Sequence, residues 1–127
     1  MKLRLLDLLV CPMCKNFPLE LIVFSSRKVN REYKGVIPAC ELFCGFHRKN
    51  VSEINNFPCV ECFKEEIEEG LLICNSCKRW YPIINEIARM LPDKLRKKNE
   101  DMQFLEKNKS KIPEKILYEG MPHNLKE

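Results

Sequence analysis

The sequence predicts an α+β fold: a small zinc-bound antiparallel β-sheet lobe of the ribbon kind, a helical subdomain inserted in it, and a helical C-terminal tail. Three observations carry this expectation. Two Cys-x-x-Cys hooks, Cys11-Pro12-Met13-Cys14 and Cys74-Asn75-Ser76-Cys77, stand far apart in the chain. The segments beside them read as short strands. Between them lies a middle segment with four more cysteines, and after Pro92 the chain becomes charged with sparse apolar positions.

Composition allows one domain. The 127 residues are 45% hydrophobic and 31% charged, which suits a globular chain rather than a disordered one. A core of this size gains much from a metal staple. The discontinuous zinc lobe is expected at 1–31 and 70–92, the helical insertion at 32–69, and the helical extension at 93–127. The net charge is +4, with a basic zinc half beside an acidic middle. No apolar run approaches the ~20 residues of a membrane span. Eight cysteines without an export signal point to metal ligands in a reducing cytoplasm.

Taken in order, Leu3 to Leu9 forms a short helix or strand leading into the first hook. Pro18 to Asn30 reads as a strand, with Leu19, Leu21 and Val23 on one face and Ile22 and Phe24 on the other. Two helices are expected next, over 38–46 and 58–69, each opening on Pro, with Asn56 capping the second and Gly70 ending it. Leu71-Leu72-Ile73 is a brief strand into the second hook. Trp80 to Leu91 is extended and apolar, and the tail is helical, with Leu95, Met102, Leu105, Ile112, Ile116 and Leu117 as its apolar positions.

Cys11, Cys14, Cys74 and Cys77 supply the four soft thiolates of a closed, structural Zn²⁺ site. Such a site leaves no coordination position for substrate. Backbone N–H groups of each hook are expected to donate to the sulfurs, and Asn16 is expected to take the left-handed conformation after the first hook. A redox pair would need a strand–helix setting that is missing here. Cys40, Cys44, Cys59 and Cys62 lie on the two expected helices at spacings that put each pair on one face. They form a second zinc site, two disulfides or a cysteine-lined core without bonds, with His47 as a spare ligand. Glu65, Glu66, Glu68 and Glu69 read as a solvated helix face. No paired carboxylates, Ser-His-Asp order or glycine-rich phosphate loop is visible, so the chain reads as non-enzymatic.

The two hooks together with Leu5-Leu6-Asp7-Leu8-Leu9-Val10 before the first and Trp80-Tyr81-Pro82-Ile83 after the second carry a resemblance. The chain resembles the small zinc-binding activator subunit shared by tRNA, rRNA and release-factor methyltransferases. The resemblance covers roughly 3–24 and 70–92. It implies a non-catalytic partner, in a heterodimer, that covers an apolar surface of an S-adenosylmethionine-dependent methyltransferase, in part by strand pairing. Glu86 and Ala88 stand where that family usually has glycine and proline, and the middle cysteines and long tail also depart from its pattern. Ile83, Ile84, Ile87, Met90 and Leu91 are more apolar residues than a three-stranded zinc fold readily hides, which marks them as the partner surface, the alternative being that they fill the core between the zinc lobe and the helical insertion.

A nucleic-acid-binding zinc ribbon is the alternative. Lys15, Arg27, Lys28, Arg31, Lys78 and Arg79 would contact phosphates, and Trp80 and Tyr81 would stack bases. A secondary contact with tRNA is compatible with either reading.

Overall fold

A computed structural model describes residues 1–126. Its centre is a four-stranded antiparallel sheet in the order β1-β4-β5-β6, where β1 is Glu20–Lys28, β4 Glu65–Ile73, β5 Trp80–Ile84 and β6 Ile87–Ala88. A two-stranded hairpin, β2 (Phe43–Cys44) with β3 (Lys49–Asn50), stands apart from it. The helices are α1 (Cys59–Phe63), α2 (Lys98–Lys107) and α3 (Glu114–Glu119), and Leu3–Asp7 forms a 3₁₀ turn.

Side chains alternate across a strand with period two, so a sheet covered on both faces needs apolar residues at every position of its central strands. The 71–73 end of β4 and the whole of β5 meet that requirement. Leu72, Tyr81 and Ile83 point to one face, where they pack with Leu3, Leu6, Leu21 and the buried hook cysteines Cys11 and Cys74. Leu71, Ile73 and Trp80 point to the other and meet Phe104, Leu105, Ile112, Ile116 and Leu117 from the tail. β1 follows the expected alternation at Leu21, which joins the first face, and at Ile22 and Phe24, which join the second, but Val23, expected beside Leu21, is exposed where the register shifts. Of the tail's expected apolar positions, Leu95 alone is exposed.

The insertion differs from expectation. The helix expected over 38–46 is absent; Phe43 and Cys44 form β2, and Asp7 holds the preceding turn by accepting the N–H groups of Glu41, Leu42 and Phe43 at 2.8–2.9 Å. The helix expected over 58–69 stops at Phe63, and Glu65 opens β4 instead. Tertiary partners favour the strand: Lys28 pairs with Glu65 across the β1–β4 register, Glu66 meets the Met1 ammonium and Arg31, and Ile67 is buried in the core. The glutamates therefore line a strand and not a helix face. Asn56 makes no cap; the residue before α1 is Pro58, with no side-chain cap bond. Gly70 does not end a helix but sits within β4, where a Cβ would come within 2.6 Å of the Ile22 carbonyl oxygen. Only glycine admits the approach of β1 there, next to the register shift at Val23 to Ser25.

The tail is stitched to the sheet. Trp80 stacks on Phe104 with centroids 5.7 Å apart, and its indole N–H donates to the His123 carbonyl at 2.9 Å. Arg96 lies over the Trp80 ring, donates to the Trp80 carbonyl at 2.7 Å, and pairs with buried Asp101, which also bonds His123 Nδ1 at 2.7 Å. Met121 runs parallel to Arg79, exchanging backbone bonds with Lys78 and Trp80. No helix is long and apolar enough to cross a membrane among the described residues.

Candidate metal centre and exposed sheet edge

Both hooks are tight turns built on one backbone plan. In the first, Lys15 N–H donates to the Cys11 carbonyl at 2.8 Å and Cys11 N–H to the Asn16 carbonyl at 3.0 Å. In the second, Lys78 N–H donates to the Cys74 carbonyl at 2.9 Å and Cys74 N–H to the Arg79 carbonyl at 2.8 Å. The residue that closes each turn is left-handed, Lys15 at φ 65° and Lys78 at φ 62°. Lys15, and not Asn16, takes that conformation: the turn bond from residue five back to residue one dictates which position bends.

This plan turns both sulfurs of each hook the same way. Cys11 Sγ lies 3.6 Å from Cys77 Sγ, and Cys14 Sγ lies 3.4 Å from Cys74 Sγ. All four ligand atoms fall within 4.8 Å of one another. Zn–S bonds of ~2.3 Å in a tetrahedron place sulfurs about 3.8 Å apart, so the cluster suits a structural zinc. Four thiolates complete that shell.

Donors from the protein surround the sulfurs. Burial works against ionisation of Cys11, but the Tyr81 hydroxyl at 3.2 Å, the N–H groups of Cys14 and Met13, and the Cys77 thiol all bond its sulfur and draw its pKa well below the ordinary thiol value. At Cys74 burial wins: the N–H groups of Cys77 and Ser76 oppose it, yet the thiol stays protonated to well above its ordinary range. Donation to sulfur spreads thiolate charge. The Tyr81 hydroxyl is the contact that spacing alone did not reveal; only its position four residues past the second hook hinted at it. Burial and the bond to Cys11 hold the phenol proton firmly. Arg79 meets the Cys77 sulfur and forms a two-pronged pair with Asp93 at 2.6 and 2.8 Å.

Cys40, Cys44, Cys59 and Cys62 are free thiols lining one pocket, without the close approach of the first four. Burial pushes Cys40 up to about 11 and Cys62 up to about 12. The expected helical pairing is replaced: Cys59 and Cys62 lie on α1, but Cys44 is in β2 and Cys40 in the turn before it.

The five apolar residues after the second hook divide. Ile83 is fully buried in the sheet core, and Ile84 and Met90 are half-buried against the two core clusters. Ile87 is 62% exposed and Leu91 40% exposed. Ile87 belongs to β6, whose outer side has no neighbouring strand. β5 and β6 are joined by Asn85 and Glu86, with φ 50° and 69°, the two-residue turn that matches strand twist.

The groups put forward for nucleic-acid contact are largely engaged. Trp80 and Tyr81 are buried at 0% and 1% exposure, so neither offers a stacking face. Arg27 pairs with Glu86, Lys28 with Glu65, Arg31 with Glu66, Lys78 with Glu119, and Arg79 with Asp93.

A family model described as Trm112p-like protein matches residues 2–86, two thirds of the 127-residue chain, and spans both hooks, β1, β4 and β5. Comparison with curated proteins and with solved structures found no match. A match of that extent, over the segments that build the four-cysteine cluster, places the protein: the chain belongs to the Trm112p-like family.

Proposed function

We propose that this chain is a non-catalytic activating and stabilising subunit of S-adenosylmethionine-dependent methyltransferases that modify tRNA, rRNA or a translation release factor. Membership in the Trm112p-like family implies a methyltransferase-activator role. The observation that carries the reading is the open edge of β6, with Ile87 on the strand and Leu91 just beyond it exposed to solvent. An unpaired edge offers backbone N–H and C=O groups to a partner strand, and apolar side chains beside it supply burial. The zinc lobe, 1–31 and 70–92, is the docking body; Cys11, Cys14, Cys74 and Cys77 hold Zn²⁺ and so fix the strands that lead to the edge. Ile87 and Leu91 make the partner contact, with Ile84 and Met90 supporting it from their half-buried positions.

The test is an affinity purification of the C-terminally tagged full chain from its native lysate, treated with nuclease and read by mass spectrometry. One or more S-adenosylmethionine-dependent methyltransferases are expected to co-purify in stoichiometric amount. Retention of RNA or DNA before nuclease, with no methyltransferase after it, would overturn the reading.

A further inference from the structure

We infer that Cys40, Cys44, Cys59 and Cys62 form a second structural Zn²⁺ site that holds the insertion together and docks it on the zinc lobe. The four thiols come from the turn after Ala39, from β2 and from the first turn of α1, and all line one pocket together with Lys2 and Arg4. Its volume of about 30 Å³ exceeds the ~10–15 Å³ that one water requires, so an ion has room there.

The backbone supplies an independent reason. The turn that follows Cys44 repeats the plan of the two metal hooks. Arg48 N–H donates to the Cys44 carbonyl at 2.7 Å, Cys44 pairs with Lys49, and Arg48 is left-handed at φ 59°. The same bond and the same bend occur at Cys11–Lys15 and Cys74–Lys78. Each of the three begins on a buried cysteine. A hairpin turn closed by a basic residue in a conformation that L-residues avoid is energetically costly. It recurs here on a third buried cysteine, one that shares its pocket with three others. The hairpin is also pressed against the lobe: Gly45 backs onto the Leu3 carbonyl, with no space for a Cβ.

In the two hooks the second ligand is three residues on. That position here is His47, which is exposed and lies outside the pocket, its ring edge-on to Phe46. The second ligand from this segment is therefore Cys40, which precedes the hairpin and does line the pocket. Asp7 fixes that stretch through the N–H groups of Glu41, Leu42 and Phe43. Cys59 and Cys62, spaced i and i+3 on α1, complete the set from one helical face.

The insertion requires such a staple. From 29 to 64 the buried residues are Phe43, Cys44 and Gly45 alone. A stretch that long with so little apolar burial cannot offset its ordering entropy by packing. Zinc bound by four thiolates carries two net negative charges, and Lys2 and Arg4 are the cations that line the pocket. Binding draws the sulfurs to the ~2.3 Å bonds of a tetrahedral site and releases their protons.

The experiment is native mass spectrometry and metal analysis of the full chain, purified under reducing conditions and dialysed against zinc-free buffer. About two zinc ions per chain are expected, with X-ray absorption showing sulfur-only coordination. C59S/C62S is expected to fall from two ions to one, and H47A to keep two. One zinc in the wild type that C59S/C62S retains would overturn the inference, whether the remaining cysteines titrate as four free thiols or show the mass deficit of two disulfides. Should C59S/C62S not fold, the wild-type count and coordination decide alone. A first site lacking metal is told apart by C11S/C14S, which would then leave the count unchanged.

Discussion

Glu86 shows how far one side chain can depart from what its backbone asks. The β5–β6 connection needs two residues at positive φ, and glycine is the residue that reaches such angles without strain. Glutamate at φ 69° costs about 1–2 kcal/mol. Part of this is returned by the Arg27–Glu86 pair at 2.7 Å, which joins the turn to β1. Both side chains are substantially exposed, so that pair contributes little and weakens as salt screens it. Glycine in its place would also enlarge the unfolded ensemble, at about 0.4–1 kcal/mol. Glu86→Gly is therefore expected to change stability by less than about 1 kcal/mol at low salt, and to shift toward stabilisation as salt rises. Urea titrations at two ionic strengths check both parts. A loss above about 2 kcal/mol at either would show that the Glu86 side chain holds more than this one pair.

At the scale of elements, what could be read from the chain depended on whether local pattern and tertiary environment agree. The alternation in β1 was legible because its two faces meet two different cores, and period two records that directly. The hooks were legible because cysteine spacing is itself the geometry. Glu65 to Glu69 was not. Its residues favour helix locally, but the pairing partners Arg27 and Lys28 lie nearly forty positions upstream, and no local window contains them. The β2–β3 hairpin was missed for a similar reason: Asp7, which shapes the turn before it, belongs to another segment. The tail was legible as helical, yet its destination was not. Its apolar positions cover the outward face of β4 and β5, which explains how Ile73 and Trp80 are buried in a sheet this small. Phe104 is the centre of that seam, stacked on Trp80 and 6.0 Å from the Phe24 ring. Phe104→Ala is expected to cost about 3–5 kcal/mol, as other aromatic truncations in packed cores do. Because α2 touches the sheet face opposite the hooks, the zinc content of the folded protein should not change. Chemical denaturation with metal analysis on the same sample checks this. A loss under about 1 kcal/mol would mean that the tail is not part of the cooperative unit.

For the whole molecule, the two covered faces leave the sheet's edges as the place for the proposed partner contact. One face of the sheet is closed by the 3₁₀ turn and the hook cysteines, the other by α2 and α3. β1 forms one lateral edge and β6 the other. Beside β1, charge dominates: Arg27 and Lys28 on the strand are tied to Glu86 and Glu65. β6 instead carries Ile87, with Leu91 exposed beyond it and no charged side chain on the strand itself. Backbone groups there are unpaired on the outer side, which makes β6 the edge suited to a partner strand. Substituting charge at Ile87 and Leu91 tests this without touching the core, whereas Ile83 would unfold it and Met90 would confound the two effects. I87D/L91D is expected to keep its zinc and its thermal transition within a few degrees of wild type, because both side chains already face water. Its recovery of methyltransferase in the affinity purification should fall by at least tenfold, since burying two unpaired carboxylates in an apolar contact costs several kcal/mol. Loss of zinc or of the folding transition in this variant would place Ile87 and Leu91 in the structural core. Unchanged recovery would move the partner surface away from β6.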